Sequence, residues 1–412
     1  MKVLIFNRSF YPDAEATGQF LTELCEDLTA YGHKISVIAG RSYHVRRGKK
    51  IRVFYQYEEY KAIKIFRALG TILPKRVLLF RIINLGTYFL SAFFCGFLLK
   101  EKPDVVIVQT DPPVLGLLGI FFAKWYGAKL IYSCKDIYPE VGIITGRLRS
   151  SYVNFLLEKI NLITFKFADM IICLGEDMKK RIVGKGAQVD KIRIVTDWVD
   201  SKSIYPVLEN ENPFRKKYSF DGYFTVMYSG NIGLTQGLDK VIDLADYFKK
   251  DPKIKFILVG EGADKLNLQK RVAELKLTNM EFLPYQPRED LKYSLGAPSV
   301  HIITFMKGLA GVMVPCKIYG ILGCARPFIA WIDEESSIYS IAQKFNCGIT
   351  VPPGDMKKMI EVIEWAVNHS EELKEMGKNG YKAVLANYER KIVTARFNDC
   401  LAEISGDSVL KN

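Results

Sequence analysis

At 412 residues the chain is too long for one ordinary hydrophobic core and is expected to divide into domains, which commonly run about 100 to 200 residues. Its 49% hydrophobic and 25% charged residues exclude the low-hydrophobicity, high-charge balance of a disordered chain. The net charge of +13 is concentrated: twelve Lys or Arg against only Glu58 and Glu59 fall between Arg41 and Arg81, so the remainder is almost neutral.

Val3-Leu4-Ile5-Phe6 reads as a first strand that passes directly into a polar loop, without the longer apolar region and cleavage site of a signal peptide. Phe20, Leu21, Leu24, Leu28 and Tyr31 then recur at helical spacing, and Ile35-Ser36-Val37-Ile38 is a second strand, which completes a βαβ unit. Further buried strands are predicted at 105–108, 130–132, 170–173 and 192–195, mostly separated by helix-length segments, the pattern of a parallel sheet covered on both faces. Between Thr196 and Phe214 the apolar rhythm fails, and Pro206, Asn210, Asn212 and Pro213 mark a linker. Beyond it strands are predicted at 225–228, 255–259, 280–283, 300–303 and 327–330, a second doubly wound domain. A last helix-spaced stretch is expected to close the fold. The expected division is thus 1–205 and 206–387, with helix 388–405 packing back on the first domain. The eight cysteines form no C-x-x-C pair, and His33, His44, His301 and His369 stand far apart. This spacing suits neither a zinc site nor a disulfide framework, so reduced thiols in a cytoplasmic protein are expected.

No G-x-G-x-x-G follows the first strand, which removes the most specific support for a nicotinamide or flavin dinucleotide. In the second half, Tyr228-Ser229-Gly230-Asn231-Ile232-Gly233-Leu234-Thr235-Gln236-Gly237 lies between a strand and a helix. Glycines there let backbone N–H groups and a positive helix end face an anion, although an ordinary tight turn would use them too. Val259-Gly260-Glu261-Gly262, Leu283-Pro284-Tyr285 and Gly308-Leu309-Ala310-Gly311 leading to Val314-Pro315-Cys316-Lys317 belong to the same sheet edge, where α/β domains bind ligands. Lys317, behind Pro315 in a first helical turn, could add a full positive charge; its bland alternative is a solvated helix lysine.

Those loops, with Phe10-Tyr11-Pro12-Asp13, Gly18, Tyr31-Gly32-His33, Val314-Pro315-Cys316-Lys317-Ile318-Tyr319-Gly320 and Ala325-Arg326-Pro327, resemble the GT-B glycosyltransferases of family 4 over nearly the whole chain. The resemblance is nearest to the bacterial subgroup that builds surface polysaccharides, including N-acetyl-L-fucosamine transferases of O-antigen and capsule synthesis. It implies an α/β GT-B fold, two doubly wound, Rossmann-like parallel-sheet domains facing across a cleft. It implies retaining transfer of a hexose or N-acetylated deoxyhexose from a nucleotide diphosphate sugar, UDP being favoured, to a polyprenyl-diphosphate-linked saccharide. No metal or other cofactor is expected, and the leaving phosphate oxygen would deprotonate the acceptor. By the resemblance Gly18 approaches the diphosphate from the first domain, Gly230, Asn231, Gln236, Gly260, Glu261 and Gly311 line the donor, Tyr285 neighbours the base, and Val314, Pro315, Lys317 and Ile318 hold phosphate and ribose.

Two departures stand out. Many relatives place Arg and Lys in the glycine loop where this chain has Asn231 and Gln236, and a pair of glutamates where it has Val312 and Gly320. Lys317, with Lys307 as a second candidate, would have to supply the phosphate counter-charge. In the first half, Cys134-Lys135-Asp136-Ile137-Tyr138-Pro139-Glu140 resembles the subgroup's D-x-x-P-E loop. Asp136 is a catalytic candidate that could orient the acceptor hydroxyl or stabilise positive charge developing at the anomeric carbon, against a loop-capping role; Glu140 reads as structural.

Positions 82 to 99 carry no charge over eighteen residues, just the length of a spanning helix, but a crossing would separate strands that must pair. The stretch, with Phe89, Phe93 and Phe94, is expected in the membrane interface or a shallow hairpin beside the basic segment containing Arg46, Arg47, Lys49 and Lys50. The alternative is a helix buried in the first domain. The expected partners are therefore a nucleotide sugar, a lipid-linked acceptor and the anionic inner face of the cell membrane. Nucleic acid is disfavoured because no motif accompanies the charge. Two rival functions remain: a GT-B UDP-sugar 2-epimerase, which would need cleft carboxylates and histidines, and a non-catalytic scaffold binding nucleotide sugar at the membrane.

Overall fold

The computed structural model describes residues 1–13, 15–41, 55–71, 73, 78–146 and 148–406. The chain divides into two compact units, Met1–Thr196 with Thr394–Asn412, and Asp197–Val393.

The first unit is built on eight strands: β1 (Lys2–Phe6), β2 (Lys34–Ala39), β3 (Tyr55–Tyr60), β4 (Ile63–Ala68), β5 (Val105–Gln109), β6 (Lys129–Ser133), β7 (Met170–Cys173) and β8 (Ile192–Ile194). Their order is β3-β4-β2-β1-β5-β6-β7-β8, so the winding reverses at β1, where Val3 pairs with Ile35 on one side and Val105 on the other. Every residue of β5 and β7 is buried, as helices on both faces require of apolar runs.

The second unit has six parallel strands, β9 (Phe224–Ser229), β10 (Ile254–Val259), β11 (Met280–Leu283), β12 (Val300–Thr304), β13 (Phe328–Trp331) and β14 (Gly348–Val351), in the order β11-β10-β9-β12-β13-β14. That is the doubly wound order with its switch point between β9 and β12, the place where such sheets receive ligands. Tyr228, Phe256, Phe328 and Trp331 are all under 2% exposed. Each such side chain contributes about 2 to 3 kcal/mol through its removal from water.

The structure departs from the sequence reading in the basic segment. Part of it is an edge hairpin: β3 is antiparallel to β4, and Ile63, Ile65 and Ala68 are fully buried in the sheet. Lys61 and Ala62 turn it with positive φ angles of 46° and 63°, a conformation usually given to Asn-Gly, so the turn carried no sequence signal. Strand β14 was also missed; its four residues precede two prolines and make too short an apolar run.

Positions 82–99 form no hairpin. They belong to a helix, Leu78–Cys95, followed by a single 3-10 turn, Gly96–Leu98. Tyr88, Ser91, Ala92 and Cys95 are buried in the unit, Ser91 Oγ accepting from the Leu69 N–H at 2.7 Å, whereas Leu90 and Phe94 are 60% and 52% exposed. Phe89 is half-buried, and Phe93 turns into an aromatic cluster with Phe97, Phe121 and Phe122. Arg46, Arg47, Lys49 and Lys50 lie outside the described residues. Among the described residues no helix is long and apolar enough to cross a membrane.

Candidate functional site

The carboxyl edge of the second sheet is assembled backbone against backbone. After β9 the chain turns at Gly230, with φ of 143°, and the Gly230 N–H donates to Val259 O at 2.9 Å. The neighbouring loop returns the contact, Ile232 N donating to Glu261 O at 2.9 Å and Asp264 N to Ile232 O at 3.1 Å. A Cβ on Gly260 would lie 1.9 Å from Gly230 O, and one on Gly262 would lie 2.1 Å from Ile232 O. The glycines therefore let two loops touch where a side chain would force them apart, in addition to permitting their turns. Gly237, at φ of 60°, ends the short 3-10 turn Leu234–Gln236 and opens helix Asp239–Tyr247.

Lys317 enters this edge at the start of helix Lys317–Gly323. Its Nζ donates to Gln236 Oε1 at 3.0 Å and lies 3.9 Å from the centroid of the Tyr228 ring. A Cβ on Gly230 would stand 3.5 Å from the same nitrogen. Among the described residues no carboxylate is paired with this ammonium, and burial lowers its pKa to about 7. A desolvated cation without an anion is costly, and a bound anion would relieve that cost. Tyr228 in turn donates its hydroxyl to Asn231 O at 2.7 Å, so the ring that supports Lys317 also holds the glycine loop.

The remaining candidates of this unit fall into two groups. Glu261 is exposed and pairs with Lys265 at 2.7 Å, whose Nζ also reaches Gly260 O at 3.0 Å. Tyr285 lies half-exposed after β11, and the burial of its hydroxyl raises its pKa. Gly311, Val314 and Pro315 form the approach to the helix, Gly311 at φ of 69°. Ile318 is fully buried, its side chain belonging to the core, and its N–H donates to Pro315 O at 3.3 Å. Val312 is also buried, and a Cβ on Gly320 would meet Leu295 Cδ1 at 3.1 Å. Of the two positions where the resemblance leads one to expect glutamates, Val312 thus packs in the core and Gly320 is half-buried without a side chain. Phe305, Met306, Leu309, Met313, Pro315 and Asp333, among others, line a shallow, open depression before this helix. Lys307 is exposed.

Gly18 and Asp136 belong to the first unit. Gly18 lies in helix Ala16–Ala30, where a Cβ would approach Ser9 to 3.3 Å. Thr22 Oγ1 donates to Gly18 O at 2.7 Å and accepts from Tyr11 N at 3.0 Å, fixing the loop after β1. Arg67, 4% exposed, donates to the carbonyls of Tyr11 and Gly40 and pairs with Glu58. Arg8 pairs with Asp111 at 3.0 Å. Lys135 and Asp136 both donate their N–H groups to Thr110 Oγ1, at 3.2 and 3.1 Å, which places Asp136 just beyond β6. Glu140 is held by Lys185 at 2.5 Å, and Lys185 also binds Glu158.

Sequence reasoning missed Tyr228, Lys265, Arg67 and Lys185 as parts of these constellations. Tyr228 was quoted within the loop, but its ring reads as ordinary core until Lys317 is seen over it. His301, the histidine nearest these strands in sequence, is structural: its Nε2 meets Leu295 O at 2.7 Å, and burial pushes its pKa down to about 4.

Residues 17–203 match the model for Glycosyltransferase Family 4, and residues 210–383 match that for Glycosyl transferases group 1. The putative colanic acid biosynthesis glycosyl transferase WcaI of Escherichia coli K12 is 24% identical over 377 residues, covering 89% of this chain and 92% of that protein. The N,N'-diacetylbacillosaminyl-diphospho-undecaprenol alpha-1,3-N-acetylgalactosaminyltransferase of Campylobacter jejuni is 20% identical over 74% of this chain and 78% of its own. Among solved structures, Anabaena HepE in complex with UDP superposes with a TM-score of 0.73 at 13% identity, covering 98% of this chain and 100% of that one.

Proposed function

This chain is a glycosyltransferase of GT-B fold, of the family 4 and group 1 type, and from that premise we propose that it moves a hexose or N-acetylated deoxyhexose from UDP to a polyprenyl-diphosphate-linked saccharide with retention. The observation that carries the donor part is Lys317: a desolvated cation on a ring and an amide oxygen, at a glycine-built edge with no carboxylate among the described residues paired to it. A diphosphate there would restore its full charge and be neutralised in return. UDP is favoured because it is the ligand bound to HepE, and a lipid-linked acceptor because the Campylobacter relative is named for an undecaprenol diphosphate substrate.

In the reaction so proposed, the bond from the anomeric carbon to the donor phosphate oxygen breaks as the acceptor hydroxyl oxygen bonds the same carbon. The hydroxyl proton passes to the departing phosphate oxygen. Lys317 holds the charge that develops on the diphosphate, so the counter-charge comes from this chain and no metal is assigned a role. Asp136, fixed by Thr110, orients the acceptor hydroxyl. The protein would work on the inner face of the cell membrane, where such acceptors are exposed.

Turnover with UDP-sugars and a polyprenyl diphosphate saccharide tests the whole reading. Release of UDP together with a lengthened lipid, its new linkage keeping the donor's anomeric configuration and its rate surviving a chelator, is the expected result. An altered free nucleotide sugar, an inverted linkage, or no binding heat from any common sugar nucleotide would overturn it.

A further inference from the structure

Helix Ser151–Phe167 leaves one side unpartnered. Tyr152, Phe155, Leu156, Lys159, Ile163 and Phe167 recur every three or four residues and are all exposed, Tyr152 by 70% and Phe155 by 56%, while Asn161, Thr164 and Phe165 on the opposite side are buried. The stripe continues onto the next helices. Lys124 Nζ lies 4.2 Å from the Phe167 ring, and its neighbour Trp125, 62% exposed, stacks on Phe121. Phe97 meets Trp125 at 5.4 Å, and the exposed Leu90 and Phe94 follow from the helix Leu78–Cys95. A contiguous apolar face of this kind is unusual on a soluble surface.

Its charge identifies the occupant. Across Leu78–Cys95, Leu115–Tyr126 and Ser151–Phe167 the sole acidic residue is Glu158, and Lys185 occupies its carboxylate at 2.6 Å. The basic residues of the same helices are Arg81, Lys124, Lys159 and Lys166. Lys124 and Lys159 lie over rings, 4.2 and 5.2 Å from their centroids, rather than against acids. Aromatic rings interleaved with basic residues that outnumber the one acid four to one match the boundary between acyl chains and anionic headgroups.

We infer that this face, with Phe94, Phe121, Trp125, Phe155 and Phe167 interleaved with Lys124 and Lys159, docks the enzyme on an anionic lipid bilayer. The inference deepens the lipid-linked acceptor proposed above and rests on that reading for its purpose. It replaces the expected anchor of Phe89 and Phe93, both half-buried, by a surface drawn from three helices.

Cosedimentation of the full chain with phosphatidylglycerol–phosphatidylethanolamine vesicles, and with phosphatidylcholine vesicles, tests it. The parent pellets with the first. Phe121→Ser, Trp125→Ser and Phe155→Ser together weaken that binding at least about tenfold. Lys124→Glu with Lys159→Glu weakens it about tenfold or more on the anionic vesicles, since each lysine contributes about 1 kcal/mol there, and has little effect on phosphatidylcholine. The UDP-induced thermal shift, unchanged in both variants, shows that they fold. The proposal is overturned if both variants pellet like the parent, if the parent stays in the supernatant with both vesicles, or if the face mediates dimers that the same substitutions disperse. Vesicle binding without any UDP shift would uphold the docking face and sink the donor reading instead.

Discussion

The two sheet edges carry their cations in opposite states. In the first unit the arginines near the loop after β1 are already neutralised, Arg8 by Asp111 at 3.0 Å and Arg67 by Glu58, and Arg67 also holds two carbonyls. In the second unit Lys317 meets an amide and a ring. An edge with balanced charges suits a hydroxyl-bearing substrate, and an edge with an uncompensated cation waits for an anion. The number of basic residues does not separate the two edges; the partners each cation has do.

The largest expected effect tests how the second edge is built. Gly260→Ala would drive a methyl group into Gly230 O and impose φ of 147° on an L-residue, so stability should fall by about 3 kcal/mol or more and nucleotide binding should vanish. An urea titration with ordinary stability and a normal UDP response would show that the loops are not in fact locked together. Next comes the locked arginine of the first edge. Arg67→Met leaves Glu58 and two carbonyls without their donor and should cost about 3 kcal/mol by the same titration.

Lys317→Ala should weaken UDP-sugar binding or turnover at least about tenfold, or about 1.4 kcal/mol. Because burial holds the free ammonium at about 7 instead of the usual 10.5, binding an anion should take up a proton, and UDP affinity should fall as pH rises from about 6 to about 9. Calorimetry in buffers of different ionisation heats measures both. The same shift sets a sign for stability. Lys317 costs the empty protein most below about pH 7, and the cost is relieved as pH climbs toward 10.5, where the unfolded chain would still bind the proton. Lys317→Met should therefore raise the melting temperature of the ligand-free protein more at about pH 6 than at about pH 9; an equal gain at both would remove the titration from the account. The smallest effect belongs to Asp111→Asn. Its pair with Arg8 is about one-third exposed, so thermal melting should register less than about 1 kcal/mol.

Much of the fold was legible before any coordinates. Val105-Val106-Ile107-Val108 and Met170-Ile171-Ile172-Cys173 announce buried parallel strands, and they are β5 and β7. The hairpin of β3 and β4 was hidden because its turn is Lys61-Ala62 and because its strands carry charges that pair with neighbours, as Glu58 does with Arg67. The glycine loops were legible as loops. Their tight mutual fit was not, since the clash that forbids a side chain at Gly260 involves a carbonyl thirty positions away in the chain.

By itself the sequence determined the number of units, most of the strands and the loops that line one edge, because hydrophobic period and the special backbone of glycine act over a few residues. Tertiary structure alone decided that Lys317 reaches Gln236 across a separation of 81 positions, and that Arg8 and Arg67 are spoken for. It also decided which side of helix Leu78–Cys95 faces outward: the polar stripe of Asn84, Thr87 and Ser91 hydrogen-bonds to Leu73, Thr71 and Leu69, which leaves the apolar Leu90 and Phe94 exposed, the reverse of what an amphipathic pattern alone would predict.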